Sequence, residues 1–183
     1  MSEEQAVLRL QRGDQSALTP LYNQYAESAL RTAFLITRSR AAAEDAVQDA
    51  FVQVIRNIGA LRSPAAFRPW FYRIVINTAK RSARNSGRSI SLEVGPLNQA
   101  DLTALSPEEA ALSLEQIQAV RVAIAQLNDM HREIITLKYY TQLSEEEIAG
   151  ALSIPPGTVK SRLFRAREAL QQLLATREGV IHS

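Results

Sequence analysis

The sequence predicts an all-α protein of two small helical domains joined by a flexible acidic linker, and three observations carry the prediction. Apolar residues recur with a 3.6-residue period through both ends of the chain, the middle lacks any such period, and charge divides at the same places. Residues 1–88 hold 13 Lys and Arg against 7 Asp and Glu, a net +6. Residues 89–120 hold no base against 5 acids, and residues 121–183 hold 8 bases against 7 acids. The overall charge of +2 over 183 residues hides this division. Boundaries are expected at 1–88 for the first domain, 89–111 for the linker and 112–183 for the second domain.

In the first domain, Gly13 can close a helix that begins near Glu3, and Asp14 can cap the next. That next helix places Leu18, Leu21, Tyr22, Tyr25, Ala29, Ala33 and Ile36 on one face. A third stretch puts Val47, Ala50, Phe51, Val54, Ile55 and Ile58 on one face and ends at Gly59. Glu44, Asp45, Gln48 and Asp49 lie opposite, and from charge alone they read as a solvated helix face. The stretch "RSPAAFRPWFYRIVINTAKRSARN" follows, holding four of the chain's eleven aromatic residues between Phe67 and Tyr72. Phe67, Phe71, Ile74, Val75 and Thr78 share a face fit for a core, with Trp70 at its edge. Arg73, Ile76, Asn77, Lys80 and Arg84 lie broadly opposite, as a cationic stripe beside aromatics that suits a nucleic-acid backbone with unstacked bases. Pro69 is comfortable only in a first helical turn. Either a short turn begins at Ser63-Pro64 and is re-initiated near Pro69, or the helix starts close to Arg68.

The segment "SISLEVGPLNQADLTALSPEEA" carries Gly95, Pro96, Ser106 and Pro107 without a sustained apolar period, which is the pattern of a linker. Beyond it, Leu114, Ile117, Val120, Ile124 and Leu127 mark a helix. Asn128-Asp129 supply a break and an N-cap, and Ile134, Ile135 and Leu137 mark another helix. Ser144 with Glu147 forms a capping box, and Glu145 to Glu147 sit at the positive end of the helix dipole. This short helix buries Ile148 and Leu152 and stops before Pro155. After the turn, Val159, Leu163, Ala166 and Leu170 occupy one narrow face. Thr158, Ser161, Arg165 and Glu168 project from the other, flanked by Lys160, Arg162 and Arg167. Helix, tight turn and basic helix in this order is how a helix-turn-helix seats its second helix in the DNA major groove, with Arg and Lys reaching base edges and phosphates.

With no cysteine, the chain has neither a disulfide framework nor a thiolate metal site. His131 and His182 show no paired-ligand spacing, so no metal, cofactor or enzymatic role is expected. The N-terminus is polar, and no run approaches eighteen consecutive apolar residues. A cytoplasmic chain without a membrane span of its own is expected.

"EEEIAGALSIPPGTVKSRLFRAREAL" resembles the fourth conserved region of sigma factors, and "AEDAVQDAFVQVIRNI" with "FRPWFYRIVINTAKR" resembles the second. Their order and spacing are similar to those of the extracytoplasmic-function (ECF) group of the sigma-70 family, and with "LRLQRGDQSAL" the likeness covers nearly the whole chain. The resemblance implies that Asp45, Gln48 and Asp49 bind the β′ clamp of core RNA polymerase, in place of the solvated-face reading. It implies that the loop Ala60 to Ala66, with Leu61 and Arg62 in it, and the nearby Asn77 hold a flipped base of the promoter −10 element, next to the stripe of Arg73, Lys80 and Arg84. It assigns Lys160, Ser161, Phe164 and Arg165 to reading the −35 element, with Thr158, Arg162 and Arg167 on the same helix. Further partners implied are the polymerase β flap, promoter DNA and an anti-sigma factor. Many relatives have glycine at Ser153, where serine sits less easily in a left-handed turn. A different class, a dimeric helix-turn-helix regulator acting on duplex DNA alone, needs neither the aromatic-basic stretch nor the acidic linker.

Overall fold

The computed structural model describes residues 1–85 and 107–181. Among the described residues there are eight α-helices and no strand: α1 Glu3–Gln11, α2 Leu18–Thr37, α3 Arg40–Asn57, α4 Phe67–Asn85, α5 Pro107–Gln126, α6 Asp129–Tyr140, α7 Glu145–Leu152 and α8 Pro156–Ile181. The expected linker residues 89–106 and His182 lie outside the described residues, and α5 begins at Pro107.

Each helix ends where local chemistry stops it. Gly13 at φ +90° takes the chain out of α1, a conformation that a β-carbon would oppose. The Asp14 carboxylate accepts from the Ser16 amide at 3.1 Å and starts the 3-10 turn that leads into α2. The hydrogen bond from the Ser16 hydroxyl, followed by that from Arg9, holds the Asp14 carboxyl below the usual carboxylate range. Pro64–Ala66 forms a 3-10 turn and Phe67 opens α4 directly after it. Pro69 is therefore the third residue of α4, inside the first turn, where its missing N–H breaks no helical bond.

In the first lobe α2, α3 and α4 pack around an aromatic centre. The Phe71 ring lies 5.1 Å from Phe51, 5.2 Å from Tyr25 and 5.5 Å from Tyr72. Phe67, Phe71, Ile74, Val75 and Thr78 are all buried, as their shared face requires. Tyr25 donates to the Glu3 carboxylate and ties α1 to α2, and burial pushes its phenol pKa up. Three residues depart from the expected faces. Ile76, placed by the helical wheel with the cationic stripe, is buried, while Ile55, placed on the core face of α3, and Tyr22, placed on the apolar face of α2, are exposed.

In the second lobe the buried Arg132 staples α5 to α6. Its Nε donates to the Ile124 carbonyl at 3.2 Å, and its two terminal nitrogens reach the carbonyls of Ala125 and Leu127 and the Asp129 carboxylate. Ile124 and Ala125 lie in the last turn of α5 and Leu127 directly follows it; the Leu127 amide also donates to the Ile124 carbonyl at 3.2 Å, and the one guanidinium adds a donor to each of the three carbonyls. The Asn128 side chain accepts from the His131 amide at 2.8 Å and caps α6. Ser144 and Glu147 form the expected capping box, with bonds of 3.1 and 2.8 Å. The apolar seam of α8, Val159, Leu163 and Ala166, is buried against α6 and α7.

The two lobes touch. α2 packs on α6, α4 packs on α7, and one apolar core runs through both lobes. Arg68 donates to the Thr141 carbonyl across the boundary, and Lys80 pairs with Glu133 at 2.6 Å.

Candidate nucleic-acid interface

α8 presents one exposed face. Its N-terminal turn is built by Ser153, which adopts the left-handed conformation at φ 55°, and by Pro155 and Pro156. The amides of Ser153 and Ile154 close α7 on the carbonyls of Gly150 and Ala149, while Thr158 and Val159 donate to the Pro155 carbonyl to open α8. With Val159 and Leu163 sealed against the rest of the lobe, Lys160, Ser161, Phe164 and Arg165 point away from it. Phe164 is 62% exposed, more than any other large apolar side chain among the described residues. An aromatic ring left in water beside two cations is apolar surface waiting for a partner, and a thymine methyl in a major groove is one such partner. Thr158 and Arg162 are half-buried at the flanks. Arg167 is committed to a neighbour that sequence reasoning missed: its Nε donates to the Tyr139 hydroxyl at 2.8 Å, and its guanidinium lies 5.8 Å from that ring's centre. No spacing rule links residues 28 positions apart on different helices.

α4 carries the second strip. Arg73, Asn77, Lys80 and Arg84 follow one another at intervals of four, three and four residues and are all exposed, so they form a single ridge. The loop before α4 is held from behind by Gln11, whose amide donates to the carbonyls of Ile58 at 3.1 Å and Leu61 at 2.8 Å. Gln11 was not singled out from sequence, because a polar residue at the end of a short helix carries no local signal. The Leu61 side chain is buried and turned into the lobe. Of the loop pair Leu61 and Arg62, only Arg62 therefore offers a side chain outward, and what Leu61 presents is backbone.

On α3, Asp45, Gln48 and Asp49 are exposed together. Two apolar residues continue the same face, Val52 at 42% exposure and Ile55 at 41%. Their spacing from Gln48, four and seven residues, was the available signal. Asp49 meets Arg81 of α4 at 2.7 Å, but both side chains are more than half exposed, so the pair contributes about 1 kcal/mol at most and an incoming partner can displace it.

The two helical lobes have counterparts among known proteins. Residues 21–89 match sigma-70 region 2 and residues 117–170 match sigma-70 region 4. The chain is 36% identical over 180 residues to the RNA polymerase sigma-H factor of Pseudomonas aeruginosa, covering 94% of this chain and 93% of that one. It is 31% identical over 182 residues to the ECF RNA polymerase sigma factor SigW of Bacillus subtilis, covering 95% and 97%. The chain belongs to the ECF group of the sigma-70 family. It is thus a transcription initiation factor and not an enzyme.

The fold of this sigma factor also matches that of RpoE from Bartonella quintana, solved in complex with the anti-sigma factor NepR, with a TM-score of 0.68 at 23% identity over 86% of this chain and 96% of that one. Region 2 holds the α3 face and the α4 ridge, and region 4 holds the α8 strip. No helix among the described residues is long and apolar enough to cross a membrane.

Proposed function

We propose that this sigma factor binds core RNA polymerase in the cytoplasm, reads −35 duplex with α8, captures melted −10 DNA with α4, and is held by an anti-sigma factor until a stress signal arrives. The observation that carries the reading is the pairing, in one sigma-family chain, of two nucleic-acid strips of different character. The α8 strip is a protruding helix ridge with an exposed aromatic and cations, shaped for a groove. The α4 ridge joins bases to a carboxamide, Asn77, beside a loop whose backbone is fixed by Gln11; it suits a strand whose bases are turned outward. A plain helix-turn-helix regulator has a use for the first strip and none for the second.

The division of labour follows. The chain performs no chemical step. Asp45, Gln48 and Asp49, extended by Val52 and Ile55, engage the polymerase β′ clamp, and the β flap carries the second lobe. Lys160, Ser161, Phe164 and Arg165 read bases, while Arg62, Arg73, Lys80, Arg84 and Arg167 meet phosphates. Catalysis belongs to the polymerase. The presence of an anti-sigma factor beside the structurally similar RpoE supports the regulatory part of the reading.

Co-purification with core polymerase tests it. The wild-type chain is expected to co-elute with core enzyme, and the Gln48→Ala/Asp49→Ala double variant is expected to lose association without losing helicity, because exposed polar sites shift stability by about 0.5 kcal/mol. A variant that binds core as well as wild type removes the α3 assignment.

A further inference from the structure

Lys80 is the one member of the α4 ridge that is already paired. Its ammonium meets the Glu133 carboxylate of α6 at 2.6 Å, and Glu133 is a buried acid, only 8% exposed. Arg73, Asn77 and Arg84 have no hydrogen bond or ion pair among the described residues. A carboxylate removed from water is tolerated when a cation faces it, so the pair holds Lys80 at the lobe boundary. A second bond crosses the boundary about 18 Å away along α4, from Arg68 at its start to the Thr141 carbonyl at the end of α6. Ile76, one turn before Lys80, is buried as well, although the first-lobe core lies on the other side of α4. The second lobe therefore covers part of the ridge that faces DNA in the function proposed above.

We propose that Glu133 is an internal competitor of DNA: it occupies Lys80 while the lobes are closed, and a single strand laid on α4 must take Lys80 from it. A phosphate and the Glu133 carboxylate need the same ammonium. Both cannot hold it through the same contact at full strength. Geometry sets the same requirement from the promoter side. Elements centred about 25 base pairs apart are separated by about 85 Å of duplex. Two lobes in contact cannot occupy both. Opening and −10 capture are therefore one equilibrium, and the apparent affinity for the strand falls by the fraction of molecules that are open.

The inference rests on the −10 reading of α4, and the test separates the two. The chain has no cysteine, so Asn23→Cys and Gln171→Cys, on exposed positions of α2 and α8, take a donor and an acceptor dye in the full-length chain. Energy transfer reports lobe separation, and a fluorescence-detected titration with a single-stranded −10 oligonucleotide reports affinity. Glu133→Gln is expected to lower energy transfer without DNA and to tighten strand binding by about ten-fold, matching a closed-to-open ratio of about ten. Lys80→Gln, which leaves the buried Glu133 without its cation, is expected to lower energy transfer too, while weakening the strand. The exchange Lys80→Glu/Glu133→Lys is expected to restore the wild-type transfer. Unchanged energy transfer in both single variants overturns the latch. Lowered transfer in Glu133→Gln with an unchanged affinity, in a chain that does bind the strand, overturns the competition. If neither wild type nor variant binds the strand while transfer still falls, the assignment of α4 to −10 DNA fails and the competition falls with it.

Discussion

Arg165 and Arg167 stand two residues apart on α8, and the structure predicts that their losses differ in kind. Arg165 is exposed and makes no hydrogen bond or ion pair among the described residues, so Arg165→Ala changes folding stability by no more than about 0.5 kcal/mol. Its whole effect then falls on binding. A guanidinium that donates twice to a guanine edge discriminates by about 1–3 kcal/mol, which is about 5- to 150-fold. That loss should appear at the matched −35 sequence and vanish once the contacted base pair is mutated. Arg167 is different because Tyr139 already fixes it, by a 2.8 Å hydrogen bond and by the ring face. Its remaining N–H groups are free for a phosphate, and its removal should weaken every sequence by a similar factor while reducing the salt slope by about 0.9, the value of one phosphate contact. Tyr139→Phe, which keeps the ring and removes the hydroxyl, should give a smaller loss of the same uniform kind. Fluorescence anisotropy on matched and singly mutated −35 duplexes, with core polymerase present and across a salt series, measures all three. A uniform loss for Arg165→Ala, or altered base discrimination for Arg167→Ala, refutes the division of the helix into a reading face and a clamping flank.

Asn77→Ala should change base preference at −10 positions more than salt dependence, whereas Arg84→Ala should do the reverse; competition among single-stranded oligonucleotides at two salt concentrations reads both, and identical profiles would count against a base-holding role for Asn77. Ser153→Gly should raise stability by about 0.5–1 kcal/mol, since a serine at φ 55° carries a steric penalty that glycine lacks; thermal unfolding measures it, and an unchanged or lower midpoint contradicts the account of the turn. Arg132→Met should destabilise the chain by at least about 2 kcal/mol in urea unfolding, because the carbonyls that close α5 lose a charged donor; a loss below about 0.5 kcal/mol would show that the staple is dispensable.

The helices and most of their faces were legible because each is fixed by neighbours in sequence: Gly13 ends α1, Asn128 caps α6, and Ser144 with Glu147 opens α7. The face of α4 was legible for Phe67, Phe71 and Val75 and failed at Ile76. A helical wheel assumes one buried side, and α4 has two, the first-lobe core and the second lobe. Ile55 failed in the opposite sense, since periodicity marks an apolar residue without saying whether its partner is inside the chain. Glu133 carried no signal at all: an acid in the first turns of a helix looks solvated until Lys80, 53 positions earlier, is placed against it. Gln11 and Tyr139 were missed for the same reason. Their roles lie in contacts between elements, and these exist only once the helices are packed.

Runoff transcription with purified core RNA polymerase tests the central claim most directly. Core enzyme supplemented with the full-length chain, on a library of genomic promoter fragments, is expected to give discrete runoff products that core alone does not give, and Arg165→Ala is expected to reduce their number or shift their set. A chain that binds duplex DNA yet neither associates with core nor produces any new transcript would contradict the account and leave a regulator that acts without polymerase.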